Sequence, residues 1–249
     1  MTELRLNKAL ASAGICSRRK ADERISAGAV TVNGQVVTEL GTRIDPARDR
    51  VMVDGREISL RPETEQPTHT YILLHKPVQV MSTARDPEGR TTVLDLLPEP
   101  LRRKRLYPVG RLDYFSEGLL LLTDDGELTN RLTHPRYHLP KVYEVTVREL
   151  PAEAILARMR RGMTLKEGEK LAPVEVETRP DAPRTLVLTL HQGINRQIRR
   201  MCRDLGLTIL SLRRISVGPV QLGSLDKGEC RPLQARELAA LKRAVNLNG

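Results

Sequence analysis

The sequence predicts an α+β protein with two domains, and three features of the chain support this fold class. With 249 residues, of which 39% are hydrophobic, the chain can build two cores of ordinary size. A polar segment with two prolines, residues 61–69, is typical of a linker. After this segment, apolar runs of strand length outnumber helical patterns. We therefore expect a small domain over residues 1–60 and a larger domain over residues 70–249.

Two helices and a hairpin are predicted in the small domain. The first helical pattern covers residues 4–14. The second begins at Ser17, whose hydroxyl can accept a hydrogen bond from the first helical turn, and ends at Gly28. Asn33 and Gly34 lie between two short apolar runs, which is a strong signal for a tight hairpin turn.

Strands and helices alternate along the larger domain. Pro151 is expected at the first position of its helix, and Asp124 or Asp125 is expected to cap another. The predicted strands cover residues 71–75, 119–123, 142–147, 174–177, 186–190 and 208–217, and the predicted helices cover residues 126–134, 151–161, 195–205 and 233–243.

The charge of the chain favours a polyanionic partner, either nucleic acid or an anionic membrane surface. The formal net charge is +10 and the isoelectric point is about 9.9. Basic residues cluster in residues 101–111 and 191–216, as phosphate contacts require, although each run alone could be a solvated surface. With one Phe, five Tyr and no Trp, the protein has few rings on which bases could stack. Recognition of a nucleic acid should therefore rest on shape and phosphates.

Cysteine usage and the first residues favour a soluble, cytoplasmic protein. The three cysteines are far apart and form no metal-binding spacing, so we expect reduced thiols and no metal site. No apolar run approaches the length of a membrane span, and the N-terminal residues lack the pattern of a secretory signal.

The most informative segment is residues 107–123, YPVGRLDYFSEGLLLLT. Asp113 follows a predicted strand and precedes a turn into a buried strand, and such a loop is a common place for a catalytic carboxylate. A lone Asp in a turn more often caps backbone amides. The segment alone leaves both interpretations open.

The wider pattern resembles the small-subunit/large-subunit type of ribosomal RNA pseudouridine synthases, over essentially the full chain. Besides GRLDYFSEGLLLLT, the matching motifs are Lys76-Pro77, NRQIRRM at 195–201, RISVGP at 214–219 and GECRPL at 228–233. The forms NRQIRRM and VGP point to the branch that modifies the large subunit. The resemblance implies a larger domain built on a mixed, mainly antiparallel sheet.

The small domain resembles the S4-type RNA-binding module, which docks RNA and carries no chemistry. The matching residues are Arg5, Lys8, Ser17, Arg18, Arg19, Gly28 and residues 30–34. Arg18, Arg19 and Lys20 crowd a helix start, where the helix dipole disfavours positive charge. Basic residues at this position favour a bound phosphate, although an exposed basic turn without a ligand would have the same sequence.

The resemblance implies an isomerisation without a cofactor. The base leaves C1′ of a flipped-out uridine, turns and rejoins through C5. Asp113 matches the catalytic Asp, and the sequence leaves open which atom it attacks. Arg111 would help to hold the flipped-out arrangement, Tyr143 would pack on the base, Arg199 would hold Asp113, and Leu212 would line the uracil pocket. Core packing for Tyr143 and Leu212 and phosphate contact for both arginines are the alternatives.

The predicted partner is a structured stem-loop of large-subunit ribosomal RNA, bound by a monomer without membrane or metal. The residues predicted to contact this RNA are Arg5, Lys8, Arg18, Arg19, Lys20, Arg102, Arg103, Lys104, Arg105, Arg196, Arg200 and Arg203. Alternatives are a non-catalytic ribosome-assembly factor, a synthase for the small subunit, a nucleic-acid hydrolase and a DNA-binding regulator. A hydrolase would need a carboxylate cluster for metal ions near Asp113, which the sequence lacks.

Overall fold

A computed structural model describes residues 3–60 and 69–247 of the chain. The chain divides into two compact units, residues 1–68 and 69–249. Residues 61–68 lie outside the described residues, so most of the linker expected at 61–69 stays a prediction. In the described ranges, no helix is both long and apolar enough to cross a membrane.

The first unit contains two helices and a small sheet, as predicted. Ser17 caps the second helix by accepting a hydrogen bond from the amide of Lys20 at 3.3 Å. The sheet has the strand order β3-β2-β5-β6, while β1 pairs with β4. The elements are β1 Leu4–Arg5, α1 Leu6–Ser12, α2 Arg18–Ser26, β2 Val30–Val32, β3 Gln35–Val36, β4 Arg43–Ile44, β5 Val51–Val53 and β6 Arg56–Ile58.

The core of the first unit lies between its two helices and its strands. Leu6 and Leu10 of α1 and Ile25 of α2 are buried together with Val30 and Val51 of the sheet. The remaining helix faces carry the basic side chains, so the same packing that forms this core leaves Arg18, Arg19 and Lys20 exposed.

The second unit is larger and richer in strands. Its elements are β7 Tyr71–Lys76, α3 Glu99–Arg102, β8 Tyr107–Pro108, β9 Glu117–Thr123, α4 Gly126–Thr133, a short 3-10 helix Pro135–Tyr137, β10 Lys141–Val147, α5 Glu153–Arg161, β11 Met163–Thr164, β12 Lys170–Leu171, β13 Glu175–Arg179, β14 Ala182–Leu190, α6 Gln197–Asp204, β15 Ile209–Val217, β16 Val220–Gln221, β17 Cys230–Pro232 and α7 Ala235–Ala244.

A nine-stranded sheet forms the centre of the second unit. Its main path runs β13-β14-β10-β15-β9-β7-β17, and β16 and β8 join it at β15 and β9. Strands β9 and β15 pair in parallel, whereas the other described pairs in this sheet are antiparallel. The sheet is therefore mixed and mainly antiparallel, as predicted.

Strand β9 is buried on both faces, which explains the run of four leucines at 119–122. Leu119 and Leu121 pack with helices α4 and α7 on one face. Leu120 and Leu122 pack with Ile72 and other residues of the opposite face. The strand thus lies at the centre of the unit, and the loop that precedes it starts from a rigid support.

Four helix starts differ from the prediction. Helix α1 begins at Leu6 and not at residue 4, because Leu4–Arg5 forms strand β1, and helix α7 begins at Ala235 and not at residue 233. Helix α5 begins at Glu153 with Ala152 as its N-cap, so Pro151 precedes the helix instead of occupying its first position. Helix α6 begins at Gln197 because Arg196 adopts a left-handed conformation, with φ of 50°, that a continuing helix cannot contain. The cap of α4 agrees with the prediction, since the side chain of Asp125 accepts from the amides of Glu127 and Leu128.

Candidate active site

The loop between β8 and β9 carries Asp113 and is fixed by hydrogen bonds at both ends. The amide of Ser116 donates to the carbonyl of Asp113 at 3.0 Å, which closes a tight turn after the carboxylate. Before it, the hydroxyl of Ser82 donates to the carbonyl of Leu112 at 2.8 Å and accepts from the Leu112 amide at 3.1 Å. The backbone around Asp113 is therefore held without any contribution from its side chain.

Lys76 lies beneath this turn and is fully buried at the end of β7. Its ammonium group donates to the carbonyls of Pro77 at 2.9 Å, Asp113 at 3.2 Å and Ser116 at 2.9 Å. Burial lowers the pKa of Lys76 to about 8; the attraction of Asp113 opposes the shift, and the repulsion of Arg214 adds to it. The turn that presents Asp113 is thus built around a buried amine.

Two arginines lie beside the Asp113 carboxylate. The Oδ2 atom is 3.6 Å from Nη1 of Arg196 and 3.7 Å from Nε of Arg199. Both distances are those of ion pairs, longer than hydrogen bonds. Nη2 of Arg199 also donates to the carbonyl of Phe115 at 2.8 Å and to Oγ of Ser116 at 3.1 Å, so this guanidinium joins the carboxylate to its own loop.

The carboxylate opens into a cavity of about 260 Å³. Five basic side chains line this cavity, and Asp113 is the single acid among its described lining residues. The basic residues are Arg111, Lys141, Arg196, Arg199 and Arg214. The excess of positive charge suits a ligand that carries phosphates.

The cavity floor is formed by neighbouring strands of the sheet. Tyr143 of β10 lies opposite Arg214 of β15, and Lys141 lies two residues before Tyr143 on the same face. Burial lowers the pKa of Lys141, and Arg214 lowers it further. Nε of Arg214 donates to the carbonyl of Leu119 at 2.8 Å. A tyrosine ring between apolar walls and buried cations can receive a flat, polar ring joined to an anionic backbone.

Comparison with known proteins agrees with this geometry. Residues 70–204 match the RNA pseudouridylate synthase family, and residues 4–51 match the S4 domain. The chain belongs to the RNA pseudouridylate synthase family. It is 41% identical to the ribosomal large subunit pseudouridine synthase B of Bacillus subtilis, over 96% of this chain and 95% of that protein.

Two further proteins support the family. An uncharacterized RNA pseudouridine synthase of Aquifex aeolicus is 41% identical over 99% of this chain and 97% of that protein. A crystal structure of a pseudouridylate synthase has a TM-score of 0.68 and 32% identity, and the match covers 96% of this chain and 99% of that chain. The synthase thus matches its relatives in sequence and in fold along nearly its whole length.

The structure brings the predicted active-site residues of the synthase into one cavity. Asp113, Arg111, Tyr143, Arg199 and Leu212 all line it, although they come from four separate segments of the chain. Their individual roles stay predictions.

Sequence reasoning assigned no role to three basic residues that the structure places at the site: Lys76, Lys141 and Arg214. A signal was present in each case, because Lys76 and Arg214 belong to motifs that match the family and Lys141 directly precedes a predicted strand. Such a residue in a buried strand needs polar partners, and backbone carbonyls supply them. These are the carbonyls of the Asp113 turn for Lys76, of Leu139 for Lys141 and of Leu119 for Arg214.

The predicted RNA contacts differ in their surroundings. Arg5, Lys8, Arg18, Arg19 and Lys20 are exposed in the first unit. In the second unit, the run Arg102, Arg103, Lys104 and Arg105 is also exposed, with Arg103 paired to Glu99 at 3.2 Å. Whether these residues contact RNA stays a prediction.

The arginines at positions 196, 200 and 203, which are predicted RNA contacts, have different partners in the structure. Arg196 precedes helix α6 and lies beside Asp113. Arg200 pairs with Glu169 at 2.5 Å, and Arg203 pairs with Glu167 at 2.5 Å. These acids flank the turn between β11 and β12, far away in sequence, so the local charge run overstated the charge available for RNA. Phosphate contact by Arg200 and Arg203 stays a prediction that requires these ion pairs to be shared or broken.

No metal site accompanies Asp113 in the described part of the chain, where no group of three or more His, Cys, Asp or Glu side chains could hold an ion.

Proposed function

We propose that this synthase converts one uridine of large-subunit ribosomal RNA into pseudouridine, with Asp113 as the catalytic carboxylate. The observation that carries the proposal is the position of Asp113, on a turn fixed by Lys76 and beside two guanidinium groups at a positively charged cavity. The large subunit as substrate is supported by the identity of 41% to a relative named for that activity in Bacillus subtilis.

The chemistry suits a lone carboxylate. The bond between C1′ and N1 breaks, the uracil turns, and C5 bonds to C1′ while the C5 proton is lost and N1 gains one. All atoms of the substrate are kept, so the reaction needs no oxidant and no second substrate. Asp113 can act as a nucleophile or as a base, and the two arginines hold its carboxylate at the cavity.

The other lining residues would receive the flipped-out nucleotide. Tyr143 offers a ring against which the uracil can pack, and Leu212 offers an apolar wall. Arg111 is exposed at the edge of the cavity, where it can contact the RNA strand that the uridine has left. Base flipping costs a few kcal/mol, which these contacts and the phosphate contacts would offset.

The first unit would dock the same RNA. Its match to the S4 domain and its exposed basic residues Arg18, Arg19 and Lys20 support this role. A non-catalytic RNA-binding protein would also use these residues, but it would have no need for Asp113 on a preorganised turn in a cavity.

The target is tested by incubating the purified protein with unmodified large-subunit and small-subunit ribosomal RNA, followed by pseudouridine mapping. We expect one modified uridine in the large-subunit RNA. Modification of the small-subunit RNA alone would contradict the proposed substrate but not the chemistry. Binding to both RNAs without modification of either would favour the RNA-binding protein.

A further inference from the structure

Three large apolar side chains on the surface of the second unit cluster in one groove. In the described residues, six large apolar side chains are exposed, and Val78, Phe115 and Leu210 are three of them. They line a groove of about 350 Å³ together with Gln79 and Ser211. Phe115 is the one phenylalanine of the chain, and 60% of it is exposed. Exposed apolar side chains gathered in this way mark a binding surface.

The groove adjoins the cavity of Asp113. Arg199 and Leu212 line both, so these two side chains form the wall between them. Nη2 of Arg199 binds the carbonyl of Phe115 at 2.8 Å, while Nε of the same side chain is 3.7 Å from the Asp113 carboxylate. A ligand strand that places one unit in the cavity would therefore present its next unit to the groove.

The groove is preformed. The amide of Gln79 donates to the carbonyl of Tyr114 at 2.6 Å, which ties the loop after β7 to the loop of Asp113. Gln79 adopts a left-handed conformation with φ of 62°, and Val78 before it lines the groove together with Phe115. The rings of Tyr114 and Phe115 meet edge to face, with centroids 5.1 Å apart and planes at 82°. The Phe115 ring is thus in contact with a neighbouring ring while more than half of the residue stays exposed.

We infer that this groove binds the nucleobase that neighbours the target uridine in the RNA strand. This neighbouring base stacks on Phe115 between Val78 and Leu210. The inference rests on the proposed function. When a uridine leaves the helix, its neighbours lose a stacking partner, and an apolar ring beside the cavity can replace it. Every base has a flat π face, so such a contact holds the strand in place without reading its sequence.

RNA is the occupant that the surroundings favour. The wall shared with the cavity includes the guanidinium of Arg199, and the adjoining cavity has a positive lining. These charges suit a base attached to a phosphate backbone better than an apolar peptide. The small number of aromatic residues in the chain argues against a series of stacked bases. It is compatible with one stack at one position.

The test uses the large-subunit RNA fragment that the wild-type protein modifies. A set of fragments is prepared, each with one abasic site, at the first or second position on the 5′ or the 3′ side of the target uridine. Affinities are measured for the wild type, Phe115→Ala, Phe115→Tyr and Leu150→Ala. Leu150 is equally exposed, at 66%, and lines neither the groove nor the cavity, so its variant is the matched control.

At one position, removal of the base should weaken binding to the wild type and to Phe115→Tyr by about ten-fold, within the range of one base-to-ring stack. With Phe115→Ala, the intact RNA should already bind about ten-fold more weakly, and the same abasic site should have little further effect. Leu150→Ala should behave as the wild type.

The inference is overturned if no abasic position weakens wild-type binding, or if base removal weakens binding to Phe115→Ala as much as to the wild type. Pseudouridine formation on the intact fragment, measured in the same samples, tests the proposed function separately. If the wild type modifies the fragment and Phe115→Ala changes neither binding nor modification, the proposed function is retained and the stacking site is contradicted.

Discussion

At the scale of single residues, Asp113 is held by two groups that act on different atoms. Lys76 binds the backbone carbonyl of Asp113, whereas Arg199 lies beside its carboxylate. Arg199 also binds the carbonyl of Phe115, so a single planar guanidinium fixes both the side chain and the loop. The position of the carboxylate therefore depends on the shape of Arg199 as well as on its charge.

Arg199→Lys keeps the charge and loses the planar fork. We expect kcat for pseudouridine formation to fall about 100-fold, because a displacement of the catalytic carboxylate by about 1 Å can reduce the rate by that factor. RNA affinity should stay near that of the wild type. Arg200→Lys is the matched control on the same helix, since Arg200 pairs with Glu167 and Glu169 instead of Asp113. Single-turnover kinetics measure the effect, and equal rates for the two variants would contradict this role of Arg199.

Lys76 predicts a pH dependence of stability. Its pKa is about 8 in the folded protein and 10.5 in its ordinary environment. Between these values the unfolded chain binds more protons than the folded one, so the free energy of unfolding rises with pH. The full gain is about 3 kcal/mol at about 1.4 kcal/mol per pKa unit. Below pH 8 both states are protonated and this gain is absent.

Lys76→Met removes the titrating group and nearly keeps its length. Denaturant unfolding followed by circular dichroism gives the free energy of unfolding of both proteins from pH 7 to 10.5. We expect the wild type to gain stability relative to the variant as the pH rises through this window. Parallel curves would mean that the buried amine keeps an ordinary pKa.

At the scale of elements, the site depends on the parallel pairing of β9 with β15. Gly118 lies opposite Arg214 in this pair, with φ of 110°. A Cβ atom at Gly118 would lie 2.2 Å from the carbonyl oxygen of Arg214, closer than any side chain tolerates. The two strands approach this closely because residue 118 has no side chain, and they bring the Asp113 loop and Arg214 to one cavity.

Gly118→Ala should destabilise the second unit by more than about 3 kcal/mol, since the backbone of β15 has to move. Gly206→Ala is the control. Gly206 also has a positive φ, of 74°, but open space around its missing Cβ, and it should lose about 1–2 kcal/mol. Thermal unfolding of both variants measures the difference. Similar losses would show that the close approach of the strands is not the determining factor.

The elements were predictable where the signal is local. The apolar run of β9, the cap at Ser17 and the turn at Asn33 and Gly34 each depend on neighbouring residues, and the structure has them as expected. The parallel register of β9 and β15 joins residues almost a hundred positions apart, and no local pattern encodes it. The left-handed Arg196 also escaped prediction, because its side-chain type does not demand that conformation.

The site residues, too, were predictable where a motif marks them and not where only the fold brings them together. Motifs and family resemblance brought Asp113, Tyr143 and Arg199 together, and the structure places them at one cavity. The pairing of Arg200 with Glu169 was missed because the acid comes from a distant hairpin. Likewise, nothing in the sequence indicates that Phe115 and Val78 line one groove, because only the fold brings their two loops together.

At the scale of the whole molecule, we propose that the first unit docks RNA and the second carries the chemistry. The net charge of the chain is +10, but not all of its basic side chains are free to contact RNA. Several arginines of the second unit are paired with carboxylates, whereas Arg18, Arg19 and Lys20 are exposed at the start of α2. We therefore expect the salt dependence of RNA binding to depend strongly on these three residues.

Replacement of Arg18, Arg19 and Lys20 by Gln in the full chain should reduce the slope of log K against log salt concentration by about 2 to 3. Affinity should fall for all RNA sequences alike, because phosphate contacts read no bases. Arg50→Gln is the control, since Arg50 is paired with Glu57 at 2.7 Å. An unchanged slope in the triple variant would show that RNA does not bind at this helix start.

The most direct test of the account is pseudouridine formation on large-subunit ribosomal RNA by the wild type, Asp113→Asn and Asp181→Asn. The first variant keeps the shape of the side chain and removes its charge. The second makes the same change at an exposed carboxylate, 68% accessible, away from the cavity. We predict one modified uridine with the wild type and Asp181→Asn, and none with Asp113→Asn, at unchanged RNA affinity. Modification at the wild-type rate by Asp113→Asn would contradict the account.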